Sequence, residues 1–353
     1  MRKTILFISH DYTRTGAPIV LLRLIKKLKA NLEEQIDVAV GFIYSRGDIK
    51  IRAEYEAIAD ELVNLNQNPK KFFTKKRDRD YDVLLFNTIV SGEIIEKIVN
   101  RFTSKKVLTW IHEMDFTIEH YGWDLAENVA KWSDEVLCVN SFIQKTFDRM
   151  GANCKHFSGI ADVGQSIEFL NKKNKEKFEL VISGLPSWRK GIYDIPEVIK
   201  HSNDIVSSVK WYGAGEDHRN MSQIRYQLGL MGLKKIFKPM GMVDNFVEKL
   251  KSADMFLMIS HEDPFPLVCL EAASVKVPTI CWDRGTGIVD FVKDDAGWIL
   301  PYREFSKLRE LLAYLKANPE EIKIRGEVAY QRVMESYSSE VRAKQFMTLI
   351  SDL

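Results

Sequence analysis

Apolar positions along the chain fall into two kinds of stretch that alternate. Short runs rich in β-branched and aromatic residues predict strands at Thr4–Ser9, Asp37–Ile43, Asp82–Phe86, Lys106–Ile111 and Glu135–Val139. The same kind of run returns at Leu180–Ser183, Val209–Tyr212, Met255–Ser260, Thr279–Trp282 and Trp298–Leu300. Between them lie segments with helical spacing, such as Pro18, Leu21, Leu22, Ile25 and Leu28. Strands separated by helices imply parallel sheets built from βαβ units, and the pattern occurs twice. The polar stretch "NKKNKEK" (Asn171–Lys177) interrupts it and reads as a linker. The expected fold class is therefore α/β, with two Rossmann-like doubly wound domains at residues 1–168 and 169–338. A last helix near Ser339–Ile350 carries Ala343, Phe346, Met347 and Ile350 on one face. It caps the second domain or packs back on the first, and the pattern leaves both open. Parallel sheets bind ligands at the carboxyl ends of their strands, so a site in an interdomain cleft is expected.

A length of 353 residues agrees with two domains, and 45% hydrophobic with 28% charged residues is ordinary for a water-soluble chain. The net charge of +2 gives no electrostatic case for nucleic acid. Cys138, Cys269 and Cys281 lie in apolar runs and read as core residues of a reducing compartment. The opening "MRKTILFISHD" loses its apolar character after Ile8, so it reads as a first strand and not as a signal peptide. No stretch is apolar enough to cross a bilayer, and a cytoplasmic location is expected.

The chemistry concentrates in "MISHEDPFPLVCLEAASVKVPTICW". Pro266 suits a first helical position, with the helix running from Leu267 to about Val275. Its free amides and dipole make an anion site. Asp263 precedes those amides and Glu271 lies a little over one turn beyond them, so an anion there sits between two carboxylates. A nucleotide sugar has that layout: a pyrophosphate flanked by sugar and ribose hydroxyls, which carboxylates accept well. The plainer reading has Asp263 capping the helix and Glu271 solvated.

This stretch resembles the E-x7-E element of the retaining GT-B glycosyltransferases of family 4, and the resemblance runs along most of the chain. It implies that Asp263 contacts the donor sugar, that Glu271 binds ribose, and that the backbone near Phe265, Pro266 and Leu267 lies beside sugar and phosphate. The first acid of the family is usually Glu, and here it is Asp. In "VISGLPSWRKGIYD" the resemblance puts Gly184 at the strand end and Lys190 on the phosphates. Leu185 stands where the family has Arg, and Arg189 is the candidate substitute. A solvent-facing basic turn is the alternative. Gly16, in "SHDYTRTGAPIVLL", resembles the family's first glycine loop, and His112, in "VLTWIHEMD", the histidine beside the donor sugar; each also has a purely structural reading. Base contacts are expected from the loop Pro239–Val243, including Met242.

Asp78-Arg79-Asp80 could bind Mg²⁺ in another glycosyltransferase fold but precedes a strand amid cations, and reads as solvated. Gly213 and Gly215 lack the third glycine of a dinucleotide fingerprint. The segment Asn68–Arg77 mixes cations with Phe72 and Phe73 and could meet an anionic membrane or a lipid-linked acceptor. The resemblance implies a retaining, metal-independent hexosyltransferase without a cofactor. It would move a sugar from a nucleoside-diphosphate sugar to a glycan or lipid-linked acceptor in cell-surface polysaccharide synthesis. Peripheral contact with the inner face of the membrane goes with that reading. Catalytic roles fall to His112, Arg189, Lys190 and Asp263, and donor binding to Gly16, Gly184, Met242, Phe265, Pro266, Leu267 and Glu271. The alternatives are a non-catalytic nucleotide-sugar-binding partner of the same fold and a GT-B-like epimerase.

Overall fold

The computed structural model describes residues 2–32, 35–63, 65, 80–161 and 176–351. The chain divides into two compact units, Met1–Asp162 with Ser338–Leu353, and Val163–Tyr337.

In the first unit the described strands are β1 (Lys3–Ser9), β2 (Ile36–Phe42), β3 (Glu61–Val63), β4 (Asp80–Asn87), β5 (Thr103–Ile111), β6 (Glu135–Cys138) and β7 (Cys154–His156). They form one parallel sheet in the order β3-β2-β1-β4-β5-β6-β7. Ile5, Phe7, Leu84 and Phe86 are fully buried, because helices cover both faces of such a sheet. The Gly16–Leu32 helix buries Leu21, Leu24, Ile25 and Leu28. The Ser339–Leu349 helix belongs to this unit and not to the preceding one. Ser338 caps it by accepting from the Val341 N–H. Phe346 packs between Phe7 and Phe157, with ring centroids 6.1 and 6.2 Å away. Its last carbonyls receive cations: Lys106 Nζ reaches the Leu349 carbonyl at 3.0 Å and Lys3 Nζ the Ile350 carbonyl at 2.5 Å.

In the second unit the strands are β8 (Phe178–Ser183), β9 (Val206–Tyr212), β10 (Phe237–Gly241), β11 (Met255–Met258), β12 (Thr279–Trp282) and β13 (Gly297–Leu300). Their order is β10-β9-β8-β11-β12-β13, again parallel. Leu180, Trp211, Leu257, Ile280 and Trp282 form the core. In each sheet the winding direction reverses once, between β1 and β4 and between β8 and β11. Those are the places where a doubly wound sheet opens a crevice for a ligand.

The structure departs from the sequence reading in three strands. β3, β7 and β10 were not foreseen, and Pro239–Gly241, expected in a loop, completes β10. All three lie at sheet edges, where a strand is covered incompletely and needs no apolar run. Pro239 is tolerated there because an edge has an N–H to spare, and the pairing with β9 shifts register between Pro239 and Gly241. β11 ends at Met258 instead of Ser260, leaving Ile259–Asp263 free to turn. The basic segment Asn68–Arg77, Asp78 and Arg79 of the D-x-D, and Asn171–Lys175 of the linker lie outside the described residues. Asp80 opens β4.

Candidate functional site

The carboxyl edge of the second sheet gathers most of the predicted donor-binding residues at the β8–β11 reversal. After β8, Gly184 takes φ 136°, and a Cβ there would stand 3.2 Å from the Lys190 side chain. A short 3₁₀ turn, Trp188–Lys190, follows and ends at Gly191 with φ 75°. A Cβ on Gly191 would lie 2.2 Å from the Ile259 carbonyl oxygen, so only glycine lets this turn lie against the segment after β11. The two segments are then joined by backbone bonds. The N–H groups of His261 and Glu262 donate to the Arg189 carbonyl at 2.8 and 3.3 Å, and the Arg189 guanidinium donates to the Glu262 carbonyl at 3.2 Å.

This joint brings Lys190 and Asp263, 73 positions apart, into an ion pair. Asp263 is 6% exposed, and its backbone is held on both sides, by its N–H to the Gly285 carbonyl at 2.7 Å and by the Gly287 N–H to its own carbonyl at 2.9 Å. The Arg189–Lys190 turn is thus half-buried and engaged, unlike a solvated basic turn. Beneath it His261 stacks on Trp188 at 4.9 Å, meets the Tyr302 hydroxyl at 2.6 Å through Nδ1, and lies 3.5 Å from Asp194 through Nε2. Burial lowers the pKa of His261 and raises that of Asp194.

The helix expected to open an anion site runs Leu267–Ser274. Pro266 is not its first residue, as expected, but its cap: φ −67° and ψ 111° leave it extended, and its carbonyl accepts the Cys269 N–H at 3.1 Å. A second proline close behind Pro264 keeps the chain extended up to this point. No side chain caps the helix, so Asp263 is not a cap. The N–H groups of Leu267 and Val268 have no acceptor within the helix and face its open end. Phe265 is buried, stacked on Tyr337 with centroids 5.7 Å apart, so only its backbone is available to a ligand. Glu271 is half-buried one turn in. Met242 is 82% exposed, just past β10 and two strands from β8.

The first sheet builds a second polar cluster at its own reversal. Nothing lies within 4 Å of a Cβ placed on Gly16, so the room this glycine leaves is not taken up by the protein itself. His112 follows β5, half-buried, with its ring 4.7 Å from Trp110. Its Nε2 meets Asn87 Oδ1 at 2.9 Å, and the Asn87 amide nitrogen donates to the Ala17 carbonyl at 3.1 Å. Burial, helped by nearby His10, lowers the His112 pKa to about 3, so the ring is neutral at ordinary pH. Thr88, next to Asn87, holds φ 98°, an unfavourable angle for a β-branched residue, and its buried hydroxyl has no partner among the described residues. Asn87, Thr88, His10 and Glu113 were missed from sequence. Single polar residues at strand ends carry no spacing signal, although each follows a predicted strand. Among the described residues no cluster of three or more His, Cys, Asp or Glu is arranged to hold a metal, and no helix is long and apolar enough to cross a membrane.

Two doubly wound units with ligand edges of this kind define the GT-B architecture, and solved structures share it over the whole chain. HepE from Anabaena, determined in complex with UDP, superposes with a TM-score of 0.80 at 16% identity, covering 100% of both chains. The lipopolysaccharide outer core galactosyltransferase WaaB superposes with a TM-score of 0.79 at 15% identity over 99% of this chain and 100% of its own. Family models place the sequence as well: "Glycosyl transferases group 1" matches residues 163–332, and "Glycosyl-transferase family 4" matches residues 1–131. The chain belongs to this family of GT-B glycosyltransferases. A probable sucrose-phosphate synthase from Thermosipho melanesiensis is 31% identical over 100 residues, 28% of this chain and 22% of that protein. The chain's matches span only 15%, 22% and 30% of the curated relatives it aligns with.

Proposed function

We propose that the protein is a retaining glycosyltransferase that takes a sugar from a nucleoside diphosphate and passes it to a glycan or lipid-linked acceptor. The observation that carries this is the meeting of Lys190, Asp263 and the uncapped start of the Leu267–Ser274 helix at one sheet edge, with Glu271 one turn further in. The helix amides and Lys190 would receive the pyrophosphate and the charge that develops as the nucleoside diphosphate departs. Asp263, relieved of Lys190, would accept from sugar hydroxyls, and Glu271 from the ribose. With cations and amides carrying the leaving group, the acceptor attacks the face from which it departs. The departing phosphate takes the acceptor proton, and configuration is retained without a covalent enzyme intermediate. Lys190 and the amides supply the positive charge that a bound metal supplies in other transferases. The likeness to an exopolysaccharide phosphotransferase from Streptomyces coelicolor and to the lipopolysaccharide galactosyltransferase WaaB supports a role in cell-surface glycan synthesis.

Leu185 favours a second reading, binding without turnover. It is 69% exposed where the family places an arginine, and the Arg189 guanidinium already donates to the Glu262 carbonyl. Mass spectrometry of the protein with a panel of UDP-, GDP- and dTDP-sugars, with and without acceptor extract, separates the two. Nucleoside diphosphate release that grows with acceptor is the expected result. Saturable binding with neither release nor isomerised sugar would establish the second reading. In the active case Glu271→Ala raises KM for the donor, and Lys190→Ala lowers kcat about 100-fold. Unchanged kinetics in both folded variants would remove these residues from the site.

A further inference from the structure

The bonds around Asn87 fix the protonation of His112. Asn87 ends β4 and is fully buried. Because its Nδ2 donates to the Ala17 carbonyl at 3.1 Å, its Oδ1 is the end turned to His112 Nε2, at 2.9 Å. A carbonyl oxygen only accepts, so Nε2 carries the hydrogen and Nδ1 carries the lone pair. The ionisable neighbours do not alter this. His10, at the end of β1, is itself 3.2 Å from Asp11 Oδ1 through Nε2. Glu113, next in the chain, spends Oε2 on the N–H groups of Ile89 and His112 at 3.0 and 3.1 Å. The edge therefore holds the buried carboxylates of Asp11 and Glu113, the first paired with Arg46 at 3.5 Å, and Asn87 gives no counter-charge for an imidazolium.

We propose that Asn87 is a positioning residue that holds His112 as the Nε2–H tautomer, leaving Nδ1 to accept from an uncharged sugar hydroxyl and to disfavour a sugar carboxylate. A hydroxyl has a hydrogen to give to Nδ1. A carboxylate has none, so its lone pairs would face the lone pair of Nδ1. The ligand class rests on the function proposed above; the tautomer does not. The strain at Thr88 fits the same purpose, since it holds the residue after Asn87 where the backbone alone would not.

Long-range ¹H–¹⁵N correlation spectra of the full ¹⁵N-labelled chain test the tautomer without any substrate. The expected pattern is Nε2–H with Nδ1 unprotonated at pH 7, still neutral at about pH 5. An Nδ1–H tautomer, or an imidazolium at pH 7, would overturn the proposal. Asn87→Asp replaces the amide with a carboxylate, which should make His112 doubly protonated at neutral pH and give kcat/KM a new rise with pH that the wild type lacks. His112→Gln in the Asn87→Asp background should remove that rise. Selectivity is read with UDP-glucose against UDP-glucuronic acid, or GDP-mannose against GDP-mannuronic acid if guanosine is the accepted base. The neutral sugar should be used at least about tenfold better in kcat/KM, and equal use would overturn the selectivity. If no donor is turned over or bound, the functional reading fails and the selectivity with it, while the spectra still decide the tautomer.

Discussion

Lys190 and His112 meet different partners. Lys190 is paired with the Asp263 carboxylate, whereas His112 faces the amide oxygen of Asn87, and burial lowers its pKa. The second arrangement has a measurable cost. With a folded pKa near 3 against about 6.5 unfolded, His112 binds a proton in the unfolded chain before it does in the native one. Stability should therefore fall as pH drops from about 6.5 towards 3, with a slope from this residue of at most roughly 1.4 kcal/mol per pH unit. Urea unfolding at a series of pH values checks this, and His112→Gln should flatten that part of the slope. At this scale the sequence was legible only where residues sit in a motif. Asp263, Glu271 and Lys190 stand at recognisable spacings, and the structure gathers them at one edge. The ion pair between two of them depends on a glycine turn that brings distant segments together, which no local pattern announces. Asn87 has no motif at all, because its role comes from a bond to Ala17 that only the fold creates.

At the scale of elements, the uncapped helix and the 3₁₀ turn are the parts that build the proposed donor edge. Leu267→Pro should be tolerated in the backbone, since Pro266 is already extended and a proline fits a first helical position. It deletes one of the free amides, so nucleoside diphosphate affinity should fall by about tenfold, the worth of a hydrogen bond to a charged group. Calorimetric titration together with a thermal melt separates this loss from unfolding. Gly191→Ala should do the reverse, costing about 2–3 kcal/mol of stability through strain and the Ile259 contact, with donor affinity falling because the Lys190 turn is displaced. A variant as stable as wild type would show that the turn moves freely. The central strands were read from sequence because a parallel sheet buries them on both faces, and burial writes a continuous apolar run. β3, β7 and β10 escaped because an edge strand can be held by its one neighbour with little apolar run of its own, whereas β13, also at an edge, carries the run Trp298–Leu300.

At the scale of the whole molecule, each unit closes its own core, but the first does so with residues from both ends of the sequence. Phe346→Ala should open a cavity between Phe7 and Phe157 and weaken the first unit by about 3–5 kcal/mol. Hydrogen exchange followed by mass spectrometry should show faster opening across β1 and β5, with the strands of the second unit unchanged. The helical spacing of Ala343, Phe346 and Met347 marked a packed face here without saying what it packs on, since one apolar stripe fits many surfaces. The return of this helix also sets a timetable. On a ribosome, residues 1–161 emerge early yet lack the side chain that fills their core until position 346 has been translated. The second unit has the last of its described strands about 46 residues sooner, at Leu300, and Tyr337, which stacks on Phe265, also precedes Phe346. The order of synthesis and the order of completion are thus inverted. The first sheet must wait, partly covered, for the segment that finishes it, and a stall between the two units would expose it most.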